Sequence, residues 1–127
     1  MIFLSNAALR YAVEICAEVP KYQVIVTALV DKRLKIQEDL IDLVNRLYIS
    51  EVHWIKNSYN RAEIYLKNGS HITVVPASDS ARGYREHLLI VDKDINPKVI
   101  KDVFIHKEIL DWDDYEEYHR KKEKETL

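Results

Sequence analysis

The chain has 127 residues, 47% of them hydrophobic and 31% charged, with a formal net charge of -2. That length suits a single domain over 1–127, with a core that needs no disulfide or structural metal. The near-neutral charge argues against non-specific DNA binding, which runs on clustered Lys and Arg. A lone cysteine, Cys16, excludes an internal disulfide and a cysteine-cluster zinc site.

Residues Asn6 to Glu18 read as a helix with Asn6 as N-cap. Ala8, Leu9, Ala12, Val13 and Cys16 form one apolar face, widened by Tyr11 and Ile15. Pro20 stops it. Gln23 to Val30 is a continuous apolar run suited to a strand covered on both faces. Asp31 is the expected cap of a long helix to about Tyr48. Its buried stripe is Ile36, Leu40, Leu43, Val44 and Leu47. Lys32, Lys35, Glu38, Asp39 and Asp42 form its wet side.

From Glu51 the period changes to two. Val52, Trp54 and Lys56 begin a strand, and Ala62, Ile64 and Leu66 alternate with Glu63, Tyr65 and Lys67. Asn68-Gly69 marks a tight hairpin, expected to hold both residues at positive φ. Ile72 to Val75 returns, Pro76 to Glu86 is a polar loop, and His87 to Asp92 is a second apolar strand. Asn96-Pro97 opens a helix with Val99 and Val103 on its apolar side. Trp112 to Lys124 reads as a charged final helix, peripheral and partly frayed over 113–127. The order predicts an α/β fold, with helices packed on a mixed sheet that includes an antiparallel hairpin.

Two groups of residues point toward function. The apolar strand ending in Asp92 has the form by which P-loop motors deliver a magnesium-holding acid. The order of helix, QVIVTA strand, long helix, strand-NGS-strand, Arg82-Gly83 loop and Asp strand resembles the ATPase domain of phage large terminases. The resemblance implies a P-loop-ATPase-like core. It implies that Asp92 matches the magnesium-holding acid, and that Arg82 matches an Arg placed just before that strand. Asn68, Gly69 and Ser70 match its turn. Phe3-Leu4-Ser5 stands where the Gly-Lys-Ser or Gly-Lys-Thr of a P-loop would lie, with Ser5 at the hydroxyl.

The departures decide the expected activity. No G-x-x-x-x-G-K-S/T motif occurs, and Lys93 replaces the glutamate that activates water in that family. Asp94 is the candidate stand-in. No nuclease domain follows in this chain. Ser5, Arg82 and Asp92 are therefore expected to be a remnant nucleotide site, without catalysis and without a bound cofactor. ATP and Mg²⁺ enter only if another chain completes the site. None of the five histidines has metal-ligand spacing, and no serine lies in a hydrolase elbow.

The second group is a candidate protein-binding surface. Arg82, Tyr84 and Arg85 sit in the polar loop, and Trp112, Tyr115 and Tyr118 lie among acidic residues near the end. Tyr, Trp and Arg are enriched at protein interfaces. The expected function is a phage or prophage protein that binds a packaging-motor component or inhibits a host defence enzyme. Its expected setting is the bacterial cytoplasm, since MIFLSNAALR lacks a basic leader. The alternatives are half of a split packaging ATPase and a homodimeric scaffold joined through the Val52 to Lys56 strand.

Overall fold

A computed structural model describes residues 2–77 and 86–103, together with Glu117, Arg120 and Lys121. Six strands form one mixed sheet: β1 (Ile2–Phe3), β2 (Gln23–Thr27), β3 (Val52–Asn57), β4 (Ala62–Leu66), β5 (His71–Val75) and β6 (Leu88–Val91). Their spatial order is β1-β6-β2-β5-β4-β3. The first four in that order run parallel, and β4 and β3 are antiparallel additions. Three helices join them: α1 (Asn6–Glu18), α2 (Val30–Leu47) and α3 (Pro97–Val103). Among the described residues no helix is long and apolar enough to cross a membrane.

The centre is β2, paired with β5 on one side and β6 on the other. Strand residues alternate between the two sheet faces. Val24 and Val26 enter a core with α1 and α2, joined by Ile64, Ile72, Val74 and Ile90. Ile25 enters the opposite core with Val75, Leu89 and Val91, which Ile95 and Ile100 cover. This two-sided burial explains why QVIVT reads as an unbroken apolar run. The α1 face Ala8, Leu9, Ala12, Val13 and Cys16 is buried as its spacing predicts. Burial pushes the Cys16 thiol up to about 12, so it stays neutral.

Several boundaries differ from the sequence reading. Ile2–Phe3 is a strand that a two-residue run cannot announce. Ser5, not Asn6, is the N-cap of α1; its Oγ accepts from the Ala8 N–H at 3.0 Å. The apolar run stops being strand at Thr27, and α2 starts at Val30 with Leu29 as N-cap, without a side-chain cap. Tyr11 faces solvent at 48% exposure, and so does Leu47 at 51%. The buried stripe of α2 instead runs through Arg33 and Gln37. Those two polar groups pin the β3–β4 turn. Arg33 Nη2 donates to the Tyr59 carbonyl, and Gln37 Nε2 donates to Asn57 Oδ1 and the Ser58 carbonyl. In α3 Ile100 is buried and Val99 is exposed, while the Val103 side chain lies outside what is described.

The Asn68-Gly69-Ser70 turn is a clamp. Gly69 N–H donates to the Leu66 carbonyl, and Gly69 has φ +88°, which favours glycine. Asn68 is not at positive φ. This is a three-residue hairpin loop with glycine in the left-handed position, not the two-residue loop expected. Asn68 Nδ2 donates to the Cys16 carbonyl at 2.8 Å, satisfying an end group of α1. Ser70 Oγ donates to the Val19 carbonyl at 2.6 Å and accepts from the Tyr22 N–H at 2.9 Å. One buried hydroxyl thus holds the α1–β2 connection against the hairpin.

Ser70→Ala leaves Tyr22 N–H and Val19 C=O without that partner. It should destabilise the fold by about 1–3 kcal/mol, read as a lower urea midpoint with an unchanged slope.

Candidate functional site

In an open α/β sheet, sites form in the crevice at the carboxyl ends of the parallel strands. Three strand ends converge there. Leu4 N–H donates to the Val91 carbonyl at 2.8 Å, and Asp92 N–H donates to the Thr27 carbonyl at 2.9 Å. The exits of β1, β6 and β2 are therefore tied side by side. Ser5, Asp92 and the first turn of α2 all emerge at this edge.

Asp92 is only 2% exposed. A buried carboxylate needs partners, because isolated charge in a protein interior is costly. It has three. Oδ2 accepts from the Leu29 N–H at 3.4 Å, Oδ1 accepts from the Asp94 N–H at 3.1 Å, and Lys32 Nζ lies 3.4 Å from Oδ1. Lys32 Nζ also hydrogen-bonds Asp94 Oδ2 directly. The ammonium thus bridges both carboxylates that follow β6. The Asp94 hydrogen bond is the main reason the Lys32 pKa lies above its ordinary 10.5; burial opposes it, and the Asp92 charge adds to the rise. Nearby, the Thr27 hydroxyl is fully buried and has no hydrogen-bond partner among the described residues.

A cleft of 360 Å³ opens beside this cluster, between the start of α1 and the first turns of α2. Leu4, Ser5, Asn6, Lys32, Lys35 and Asp39 line much of it. Lys35 is paired with Asp39 at 2.7 Å. The Ser5 hydroxyl is engaged in capping α1. The β1–α1 connection is Leu4-Ser5 and contains no glycine. Both glycine-type backbone approach and a cradling lysine, the two ingredients of a phosphate loop, are lacking at this connection.

Of the three expected remnant-site residues, Ser5 and Asp92 lie at the same sheet edge, with Ser5 lining the cleft and Asp92 not. Arg82 lies outside the described residues. So do Tyr84, Arg85, Trp112, Tyr115 and Tyr118, the expected partner-binding residues. Asp94 is near Asp92 but is committed to Lys32, so it is not held as a free base. Lys93 is exposed beside the cluster. Sequence reasoning missed Lys32, which it placed on the wet face of α2. Its one available signal was position: it follows the end of β2 by five residues, at the start of the next helix. Among the described residues no group of three His, Cys, Asp or Glu could hold a metal ion. Comparison of the chain with protein-family models, curated proteins and solved structures found no match.

The Lys32 bridge has a pH signature. Its folded pKa is raised, so its stabilisation is complete below the unfolded value of 10.5 and is lost as pH rises through the folded value. Urea unfolding followed from pH 8 to pH 11 should show stability falling at the alkaline end. In Lys32→Met that lysine-dependent part of the fall should disappear.

Proposed function

We propose that this chain is a non-catalytic relative of the ATPase domains of phage large terminases and acts by binding another protein. The observation that carries the reading is the Lys32 ammonium bridging Asp92 and Asp94. In a P-loop motor, the acid at the end of this kind of strand faces Mg²⁺ and the nucleotide phosphates. Here a side-chain cation of the same chain faces it instead. Part of the negative charge that a metal would meet there is already balanced by Lys32. A dication and an ammonium competing for one buried carboxylate repel each other, so metal binding requires Lys32 to leave.

Three further features support loss of chemistry with retention of the scaffold. Lys93 occupies the position of the water-activating glutamate in the resembled family, and a protonated amine is no base. The turn at Leu4-Ser5 offers neither a lysine nor a close backbone approach. The clamp residues Asn68, Gly69 and Ser70 work in packing, so their retention follows from folding and requires no nucleotide. The protein-binding role rests on apolar exposure. Ile49 is 62% exposed and Tyr59 65%, and both flank β3. With Trp54, which is 40% exposed, they place three exposed apolar side chains within residues 49–59, and a contiguous patch of such groups is a mark of an interaction surface.

Calorimetry with ATP and Mg²⁺ tests the first half. No saturable heat is expected for the wild-type chain, and steady-state assays should show no phosphate release. Turnover of ATP that is lost in Asp92→Ala would refute the reading.

A further inference from the structure

One edge of the sheet is β3, and its outer side has no strand partner among the described residues. An open edge carries a row of unpaired backbone donors and acceptors. Natural proteins guard such edges with lysines and bulges. This edge has both: Lys56 projects from it, and the register shifts between Val52 and Trp54. Beyond the register shift, Trp54 to Asn57 pair regularly with β4 on the inner side and have no strand on the outer side among the described residues.

Side chains on a strand project above and below the sheet, so both neighbours of β3 meet the same residues. On the inner side β4 shows what those residues accept. Lys56 faces Glu63, Ile55 faces Ile64 and Trp54 faces Tyr65. The rings of Trp54 and Tyr65 stack at 4.3 Å, and Tyr65 stacks on His71 at 4.8 Å. This three-ring ladder crosses β5, β4 and β3 and stops at Trp54, which is 40% exposed. Lys56 is exposed and makes no ion pair among the described residues; Glu63 lies 3.8 Å from Arg61 instead.

We infer that β3 is a docking edge for an extended segment of a partner protein that presents an acid opposite Lys56, an apolar residue opposite Ile55 and an aromatic opposite Trp54. The added strand continues the backbone ladder, extends the ring stack by one and supplies the missing countercharge. Lys56 then selects as well as guards. A neutral or basic strand leaves the ammonium uncompensated, and an acidic one satisfies it. The inference rests on the protein-binding reading above and adds the chemistry of the partner.

The chain's own β4 supplies a probe. A peptide of residues 61–67 (RAEIYLK), extended by Gly-Ser at each end and blocked at both termini, carries the acid–apolar–aromatic order. Calorimetry should show saturable binding to the full chain with a Kd below roughly 1 mM, the weak end of the affinity scale. Trp54→Ala, Lys56→Gln and Lys56→Glu should each weaken it about tenfold, with far-UV circular dichroism unchanged. A peptide with lysine in place of its glutamate should bind Lys56→Glu better than it binds the wild type. Absence of binding to the wild type, or equal binding by Lys56→Glu without charge-swap rescue, overturns the inference. A dimer in solution that Lys56→Glu disperses also overturns it, assigning the edge to a second copy. A purified partner held equally well by Trp54→Ala and Lys56→Glu overturns the docking edge while leaving the protein-binding reading intact.

Discussion

The pairing of β2 with both β5 and β6 is the constraint on which the other elements depend. Val24 faces Ile72 on one side and Leu88 on the other, and it is fully buried. A strand in that position must be apolar on both faces. Its neighbours β5 and β6 run parallel to it, and parallel strands need crossover connections. Helices α1 and α2 make two of those crossings over one face. Helix α3 covers the opposite face beyond β6. The parallel pairing around β2 therefore places the exits of β1, β6 and β2 on one edge of the sheet.

The carboxyl-end crevice is a consequence of that arrangement. Once β1, β6 and β2 are parallel neighbours, Ser5, Asp92 and the start of α2 open on one edge. A buried Asp92 then needs donors, and Lys32 is the cation that α2 places there. The same geometry that could orient a metal acid orients an internal ammonium when the helix carries a lysine at that position. The antiparallel wing presents a different surface. There β4 and β3 are covered on one face by α2 and carry Trp54 and Tyr65 on the other.

Particular elements separate what was legible in the sequence from what was not. The alternation of Ala62, Ile64 and Leu66 with Glu63 and Tyr65 was readable because one face of β4 is buried and the other is not. The α1 face was readable because five small or apolar residues recur at helical spacing. The stripe of α2 was misread toward Leu47, because Arg33 and Gln37 look like solvent-facing residues until the turn at 57–59 supplies their acceptors. The turn at Asn68-Gly69 was readable as a hairpin, but its loop length and its grip on α1 depend on Val19, Tyr22 and Cys16, which are distant in the chain.

Local pattern by itself determined the α/β class, the existence of most elements and the acid at the end of β6. Those properties are set by spacing of apolar residues over a few turns or a few strand steps. Tertiary structure alone decided the strand order, the short β1 edge, the partner of Asp92 and the pairing of β3 with β4. Each of these is a contact between separate segments of the chain. Lys32 and Asp92 are sixty positions from one another, and only the parallel pairing of β2 and β6 brings an ammonium to that carboxylate.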